Sequence, residues 1–347
     1  MIYENVELHG IDEVKELEDG SGVALQRVPE DVRQTLNACA QTQMLRPGCA
    51  EIRFVSDDAV CELTMSCGPA DDWSEVTVVP FFGAYQHSET YKVGREKRTI
   101  TLTKPEMLRR TDAEYLDSSV FSPNVWRFMC WGGQVQLHGV KSSGIRPPKP
   151  EELPSVRLLT YGTSITHGHC ASGPHLSYAS QTARALGVDL INLGSGGSAH
   201  CEKTLSDYIA ARDDWDIASL ALSVNMGHFQ LDEFYDRVSY MVNTVSGANP
   251  DRPVACITLW PFFNDMTFDG GKPRRAEGGT AEEFRQSLRD AVAACPNPNV
   301  CLLEGPELLT STASLGGDLI HPGDYGMMEM GINLAAKLKP LLSLGAA

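Results

Sequence analysis

The stretch that decides the fold of this chain reads VRLLTYGTSITHG, from Val156 to Gly168. It begins as a short apolar run, typical of a buried strand, and then turns through Gly162 and Ser164 towards a helix. In open α/β sheets, ligands bind just beyond the carboxyl ends of the strands. The hydroxyl of Ser164 is therefore a candidate nucleophile, and an ordinary Ser/Thr-rich turn is the alternative.

Downstream of this stretch, apolar strand-like runs alternate with helical periodicity. Five strands alternating with helices predict a parallel sheet that is covered by helices on both faces. The predicted strands are 156–161, 188–193, 217–224, 254–259 and 300–303, and the predicted helices are 177–186, 205–211, 231–245, 281–294 and 325–342.

Upstream, the chain alternates polar and apolar residues with a period of two, which predicts short antiparallel strands of a β-sandwich. The clearest runs are 51–55, 60–65, 75–78, 98–102 and 134–137, with some helix around 29–41. Four prolines between Ile145 and Pro154 indicate a stiff linker. We therefore predict a β-sandwich domain over 1–145, a linker over 146–154 and an α/β domain over 155–347.

The formal net charge of −16 disfavours nucleic acid and anionic lipid as partners. No apolar run approaches the roughly 18 residues of a membrane span. Residues 1–5 do not resemble the start of a signal peptide, and the ten cysteines include no Cys-x-x-Cys pair. We expect a cytoplasmic protein with reduced cysteines.

Three further motifs follow predicted strands or lie near the C-terminus. The loop Gly194-Ser-Gly-Gly-Ser198 follows the second strand and lets backbone amides approach a ligand, although a flexible turn is equally compatible with it. Asn225 follows the third strand and offers a side-chain N–H donor, or merely caps a turn. Asp318 and His321 are three residues apart, so that the carboxylate can hold one ring nitrogen while the other activates a serine.

In this order, the four segments resemble the sequence blocks of the SGNH (GDSL-like) hydrolase superfamily over residues 155–342. Thr163 departs from that pattern, since the family often has aspartate before the nucleophile. The resemblance implies a flavodoxin-like three-layer domain. It also implies that Ser164 is the nucleophile and that His321 is the base oriented by Asp318. The reaction would use an oxyanion hole and would need no metal or cofactor. The hole would comprise the backbone N–H groups of Ser164 and Gly197 and the side chain of Asn225.

A jelly-roll-like sandwich ahead of such a domain resembles two-domain carbohydrate esterases, and also some tailoring acyltransferases. The resemblance predicts a serine esterase that cleaves a small acyl group from an acylated carbohydrate or glycoside. The alternatives are an acyltransferase of the same mechanism and an inactive carbohydrate-binding protein. The sandwich either forms a wall of the acceptor site or serves stability alone. The expected partner is a small-molecule acyl ester, and no oligomeric state is predicted.

Other side chains near the predicted site are candidates for substrate contact. We assign His167, His200 and Trp260 this role, with core packing or exposure to solvent as alternatives. His167, His169, Cys170 and His175 also invite a metal assignment. Their spacing matches no common closed zinc site, so no metal is expected.

Overall fold

The computed structural model of the chain describes residues 1–70, 72–222, 224–268, 272–273 and 276–344. Its first part forms two antiparallel sheets and its second part a five-stranded parallel sheet. The predicted fold class is thereby confirmed.

The first part contains twelve strands and three short α-helices within the described residues. In chain order these are β1 (Ile2–Tyr3), β2 (Val6–His9), β3 (Glu13–Glu16), β4 (Val23–Gln26), α1 (Glu30–Arg33), α2 (Ala38–Gln43), β5 (Glu51–Val55), β6 (Val60–Cys67), β7 (Val76–Phe82), β8 (Tyr85–Gln86), β9 (Tyr91–Val93), β10 (Arg98–Thr103), α3 (Glu106–Arg110), β11 (Val125–Gly132) and β12 (Val135–Lys141). One sheet has the order β1-β2-β5-β11-β7-β8, with β9 also on β7, and the other has the order β10-β6-β12-β4-β3.

The two antiparallel sheets pack face to face on a shared apolar core. Ile52, Phe54 and Phe128 from one sheet and Leu63 and Met65 from the other are all buried in it. Strands β5, β6, β7, β10 and β12 correspond to the predicted runs. The sequence did not predict strands β1 to β4, β8, β9 or β11.

The second part continues with β13 (Arg157–Tyr161), α4 (Ser164–His167), α5 (Tyr178–Leu186), β14 (Asp189–Asn192), α6 (Lys203–Ala211), β15 (Ile217–Ala221), α7 (Leu231–Ala248), β16 (Val254–Ile257), β17 (Thr267–Phe268), β18 (Lys272–Pro273), α8 (Ala281–Ala294), β19 (Val300–Leu303), α9 (Gly305–Leu308) and α10 (Asp324–Leu344). Strand β15 ends before Ser223, which lies outside the described residues, and residues 224–226 form a 3₁₀ turn. No helix in the described part of the chain is both long and apolar enough to cross a membrane.

The parallel sheet has the order β14-β13-β15-β16-β19, which is the flavodoxin-like order 2-1-3-4-5. Helices α5 and α10 pack on each other and on one face of the parallel sheet. Helices α6, α7 and α8 contribute to the apolar core on the opposite face of the sheet. The strand order reverses between β13 and β15, and such a switch point opens a crevice at the carboxyl edge. Ser164 follows β13 and the turn carrying Asn225 follows β15, so both residues lie at this crevice.

A buried set of charged side chains joins the two parts of the chain. Arg53 on β5 makes two hydrogen bonds, of 2.7 and 2.6 Å, to the Asp189 carboxylate at the start of β14. Glu51 accepts hydrogen bonds from Arg53 and from Arg127 on β11. The predicted domain boundaries remain a prediction, but the described halves share a polar interface as well as apolar core residues.

Candidate active site

A cavity of about 480 Å³ opens at the carboxyl edge of the parallel sheet, beside Ser164 and His321. Both halves of the chain line it. The first half contributes Gln43, Arg46, Trp73 and Trp131, and the second contributes mainly Ser164, His167, His169, Gly196, Gly197, Asn225, Leu259, Phe262, Phe263, Asn264, Phe284 and His321. The cavity therefore combines polar groups at the sheet edge with several aromatic side chains.

The turn after β13 places Ser164 at the first position of α4. The Thr163 hydroxyl caps this helix by accepting the Ile165 N–H at 3.3 Å. Position 162 has room only for glycine, because a Cβ there would lie 2.2 Å from the Thr166 hydroxyl oxygen. The backbone N–H of Ser164 has no intrahelical acceptor, as at any helix start, and so is free to donate to a ligand.

Three side chains form a continuous hydrogen-bonded line at the cavity. Ser164 Oγ lies 2.7 Å from His321 Nε2, and His321 Nδ1 lies 2.6 Å from Asp318 Oδ2. The other carboxylate oxygen of Asp318 accepts the backbone N–H groups of Ile320 and His321, each at 3.0 Å. The short Asp-x-x-His segment thus holds the imidazole through both its ring and its own backbone.

The same hydrogen bonds set the charge on Asp318. Burial raises the pKa of this carboxyl, but the donors from the His321 ring and from the backbone outweigh it and bring the pKa to about 2. Asp318 is therefore ionised near neutral pH and accepts the proton of Nδ1. His321 consequently presents the lone pair of Nε2 to the Ser164 hydroxyl.

The glycine loop after β14 packs directly against α4. Asn192 links the two, because its Nδ2 donates to the Thr166 carbonyl and its Oδ1 accepts the Gly194 N–H, both at 2.8 Å. Gly197 in this loop has a φ of +66°, a conformation that glycine adopts without strain. Asn225 accepts the Ala199 N–H at 3.2 Å through Oδ1, which leaves the Nδ2 end of its amide as the donor. Ser164, Gly197 and Asn225 all line the cavity.

A model of the GDSL-like lipase/acylhydrolase family matches residues 156–339, more than half of the chain. The chain belongs to this family. The resemblance to SGNH (GDSL-like) hydrolases is thereby confirmed. A search of curated proteins found no match to the sequence.

Several solved structures share the architecture of this GDSL-like protein over nearly its whole length. They include the salicylyl-acyltransferase SsfX3 from a tetracycline biosynthetic pathway (TM-score 0.73, 14% identity, 99% of this chain and 96% of that one). They also include a family two carbohydrate esterase from Clostridium thermocellum in complex with cellohexaose (0.63, 15%, 98% and 99%). A third is the acetyl xylan esterase Est2A from the rumen bacterium Butyrivibrio proteoclasticus (0.60, 11%, 99% and 98%). At these identities the likeness concerns the fold.

Of the three side chains assigned to substrate contact, one lines the cavity of this GDSL-like protein. His167 is buried there, and burial together with Arg27 and Arg46 holds its pKa well below the usual value. Trp260 instead packs in the core against Tyr178 of α5, with ring centroids 5.5 Å apart. Trp260 therefore packs in the core and is not part of the cavity lining, because the chain beyond β16 turns this ring towards α5.

His200 is also absent from the cavity lining. Its ring contacts His228 and Phe229, with centroids 5.2 Å away in each case, and its Nδ1 lies 3.4 Å from Asn37 Nδ2. His200 therefore lies in a neighbouring aromatic cluster, outside the cavity wall.

The sequence reading missed every cavity residue that the first half supplies. Arg46 lies over the Trp73 ring, and Trp73 contacts Trp131 edge to face with centroids 4.8 Å apart. No strand-end pattern marks these residues, because they reach the cavity only through the packing of the two halves. The only available signal was the residue type of Trp73 and Trp131, since the chain has just five tryptophans.

Polar atoms in the cavity wall lack partners among the described residues. Trp131 Nε1, His167 Nε2 and Asn264 Oδ1 are buried and have no hydrogen bond there. Such groups cost free energy unless a ligand or water satisfies them. The cavity is therefore suited to a molecule that carries hydroxyl or carbonyl groups.

One group of side chains in the described residues could hold a metal ion. The ligand atoms of His169, Cys170 and His321 all lie within 4.8 Å of one another. Burial and the nearby His321 lower the pKa of His169. This group differs from the four residues considered from sequence, since His167 and His175 do not belong to it.

Proposed function

We propose that the protein is a serine esterase that removes a small acyl group from an acylated carbohydrate or glycoside. The observation that carries this proposal is the line of hydrogen bonds from Asp318 through His321 to Ser164 at the mouth of the cavity. A serine hydroxyl becomes nucleophilic when such a base takes its proton.

In the proposed acylation step, Ser164 Oγ attacks the ester carbonyl carbon while its proton passes to His321 Nε2. The carbonyl oxygen becomes an oxyanion. The N–H groups of Ser164 and Gly197 and the Asn225 amide are the proposed donors to it. When the intermediate collapses, the bond to the alcohol oxygen breaks and His321 protonates the leaving alcohol.

Deacylation repeats the sequence with water as the nucleophile. His321 takes a proton from water, which attacks the acyl-serine, and the Ser164–acyl bond then breaks with the proton returning to Ser164 Oγ. Asp318, ionised throughout, stabilises the imidazolium that forms in each step. This sequence requires no metal and no organic cofactor.

The choice of a carbohydrate rests on the cavity wall. Trp73 and Trp131 offer ring surfaces, and the unpartnered Trp131 Nε1 and Asn264 Oδ1 offer a donor and an acceptor to hydroxyl groups. A family two carbohydrate esterase and an acetyl xylan esterase share the fold, which is compatible with this choice.

An acyltransferase of the same mechanism is the second candidate. Leu259, Phe262, Phe263 and Phe284 form an apolar wall of the cavity, which would favour a bound acceptor alcohol over water. The two activities differ only in the molecule that attacks the acyl-serine. Product analysis with acetylated sugars, in the presence and absence of free sugar or aromatic alcohols, separates them: free acetate indicates hydrolysis and a new ester indicates transfer.

The first experiment compares the wild-type protein with Ser164→Ala. We expect p-nitrophenyl acetate to be hydrolysed by the wild type and a fluorophosphonate to add once per chain, as read by intact mass. Both should be lost in Ser164→Ala, with turnover falling on the order of 10⁴-fold or more. A folded wild-type protein that neither turns over nor reacts would overturn the proposal in favour of an inactive binding protein.

A further inference from the structure

The imidazole of His321 lies in a cluster of soft metal ligands. Its ring centroid is 4.5 Å from that of His169, and Cys170 completes a set whose ligand atoms are mutually within 4.8 Å. Two imidazole nitrogens and a thiolate are donors that Zn²⁺ prefers. The three residues come from two segments of chain, the turn after α4 and the loop before α10, so only the fold assembles them.

The hydrogen bond from His321 Nδ1–H to the Asp318 carboxylate decides which atom of His321 can bind a metal. Nδ1 is held by the carboxylate at 2.6 Å, so the lone pair is on Nε2. A carboxylate behind a histidine is the usual outer partner of a zinc-bound imidazole. Ser164 Oγ shares this same Nε2 at 2.7 Å.

Distances also permit coordination. Zn–N bonds of about 2.1 Å and Zn–S bonds of about 2.3 Å place tetrahedral ligand atoms about 3.3 to 3.6 Å apart. His169 and Cys170 are exposed, so side-chain rotation can close the remaining gap of about 1 Å.

We propose that His169, Cys170 and His321 form a Zn²⁺ site that inhibits the enzyme. Three protein ligands leave a fourth position for water. A metal on Nε2 removes the base that activates Ser164, so metal binding and catalysis exclude each other. The inhibitory consequence rests on the proposed function of His321, whereas the binding of metal does not.

Metal binding is tested on the full chain with Co²⁺, whose thiolate complexes have a distinctive charge-transfer absorption, and with Zn²⁺ by calorimetry. We expect one ion per wild-type chain and a cobalt–thiolate band. Cys170→Ser should abolish the band, and His169→Gln should weaken binding on the order of 10- to 100-fold. Cys39→Ser is the matched control, because Cys39 is the other exposed cysteine, and it should leave the band unchanged.

Inhibition is then measured on p-nitrophenyl acetate hydrolysis. Zn²⁺ should inhibit the wild type, EDTA should reverse this, and Cys170→Ser should need at least about tenfold more Zn²⁺ for half inhibition. The absence of a cobalt–thiolate band, or equal zinc inhibition of wild type and Cys170→Ser, would overturn the proposed site. If no ester is turned over, the proposed function fails, but the cobalt measurement still decides whether the metal site exists.

Discussion

At the residue scale, Asp318 determines both the position and the tautomer of His321. Its two oxygens serve different groups, since one accepts the ring Nδ1–H and the other accepts two backbone N–H groups. Asp318 is partly exposed, yet these donors hold its pKa at about 2 against the opposing effect of burial. The carboxylate therefore remains charged across the pH range in which an esterase operates.

Asn225 is the residue whose substitution best tests the proposed oxyanion hole. Asn225→Ala should lower kcat by about 100- to 1000-fold with little change in KM, because the lost donor acts mainly on the transition state. Steady-state kinetics on p-nitrophenyl acetate measures both constants.

Asn225→Asp serves as the matched control for that substitution. It keeps an oxygen for the Ala199 N–H but removes the amide donor and adds a charge. We expect it to be at least as impaired as Asn225→Ala. Near-wild-type activity in Asn225→Asp would mean that Asn225 positions the loop and donates nothing to the substrate.

At the element scale, the glycine loop after β14 and helix α4 behave as one unit. Asn192 and the hydrogen bond from Ser195 N–H to the Gly162 carbonyl, at 2.8 Å, tie the two together. Gly194 allows the contact, because a Cβ there would lie 2.3 Å from the His167 backbone nitrogen. The position of Gly197 relative to Ser164 thus depends on a close approach of two backbones.

Gly194→Ala should therefore push the loop away from α4. We expect a loss of activity of at least about 100-fold, as for a displaced oxyanion donor, and a lower melting temperature. Gly317→Ala is the control, since a Cβ at Gly317 meets nothing within 4 Å and should leave the melting temperature unchanged. Calorimetry and ester hydrolysis on both variants check this, and wild-type behaviour of Gly194→Ala would contradict the close-packing argument.

At the scale of the whole molecule, the charged interface makes the two halves interdependent. Arg53 is 1% exposed and lies between the carboxylates of Glu51 and Asp189. Removing one partner of a buried ion pair leaves an uncompensated charge, which typically costs about 3–5 kcal/mol. The sandwich and the parallel sheet are accordingly expected to unfold together.

Arg53→Met should lower the free energy of unfolding by about that amount in urea titrations followed by circular dichroism. Lys337→Met removes a pair with Glu307 whose side chains are 47% and 57% exposed, and it should cost less than about 1 kcal/mol. Equal stability of the two variants would rule out a stabilising role for the buried interface.

The same interface predicts a dependence of stability on pH. Burial raises the pKa of Glu51, but Arg127 and Arg53 outweigh it and bring the pKa to about 2. Since this value is below that of an unfolded glutamate, about 4.3, the stabilisation is present above that pH and is lost as pH falls towards 2. The wild type should lose more stability than Arg53→Met over this range, as measured by melting temperature.

Some elements could be predicted from sequence because their signals are local. Helix α8 and strand β19 have the predicted bounds, and α5 ends at the predicted Leu186, one residue before Gly187. Strand β11 escaped prediction because both its faces are buried. Phe128 packs in the sandwich core and Met129 packs against the second half, so no polar and apolar alternation is visible.

The sequence by itself determined the fold class and the residues of the proposed catalytic machinery, Ser164, Asp318 and His321. Ser164 directly follows a predicted strand, and Asp318 and His321 are only three residues apart, so short motifs are enough to identify these residues. Only the tertiary structure decided that Trp73 and Trp131 line the cavity, that Trp260 and His200 do not, and that His169 and Cys170 meet His321. These outcomes depend on contacts between segments distant in sequence, which the packing of the two halves and the strand order specify and which no local pattern encodes.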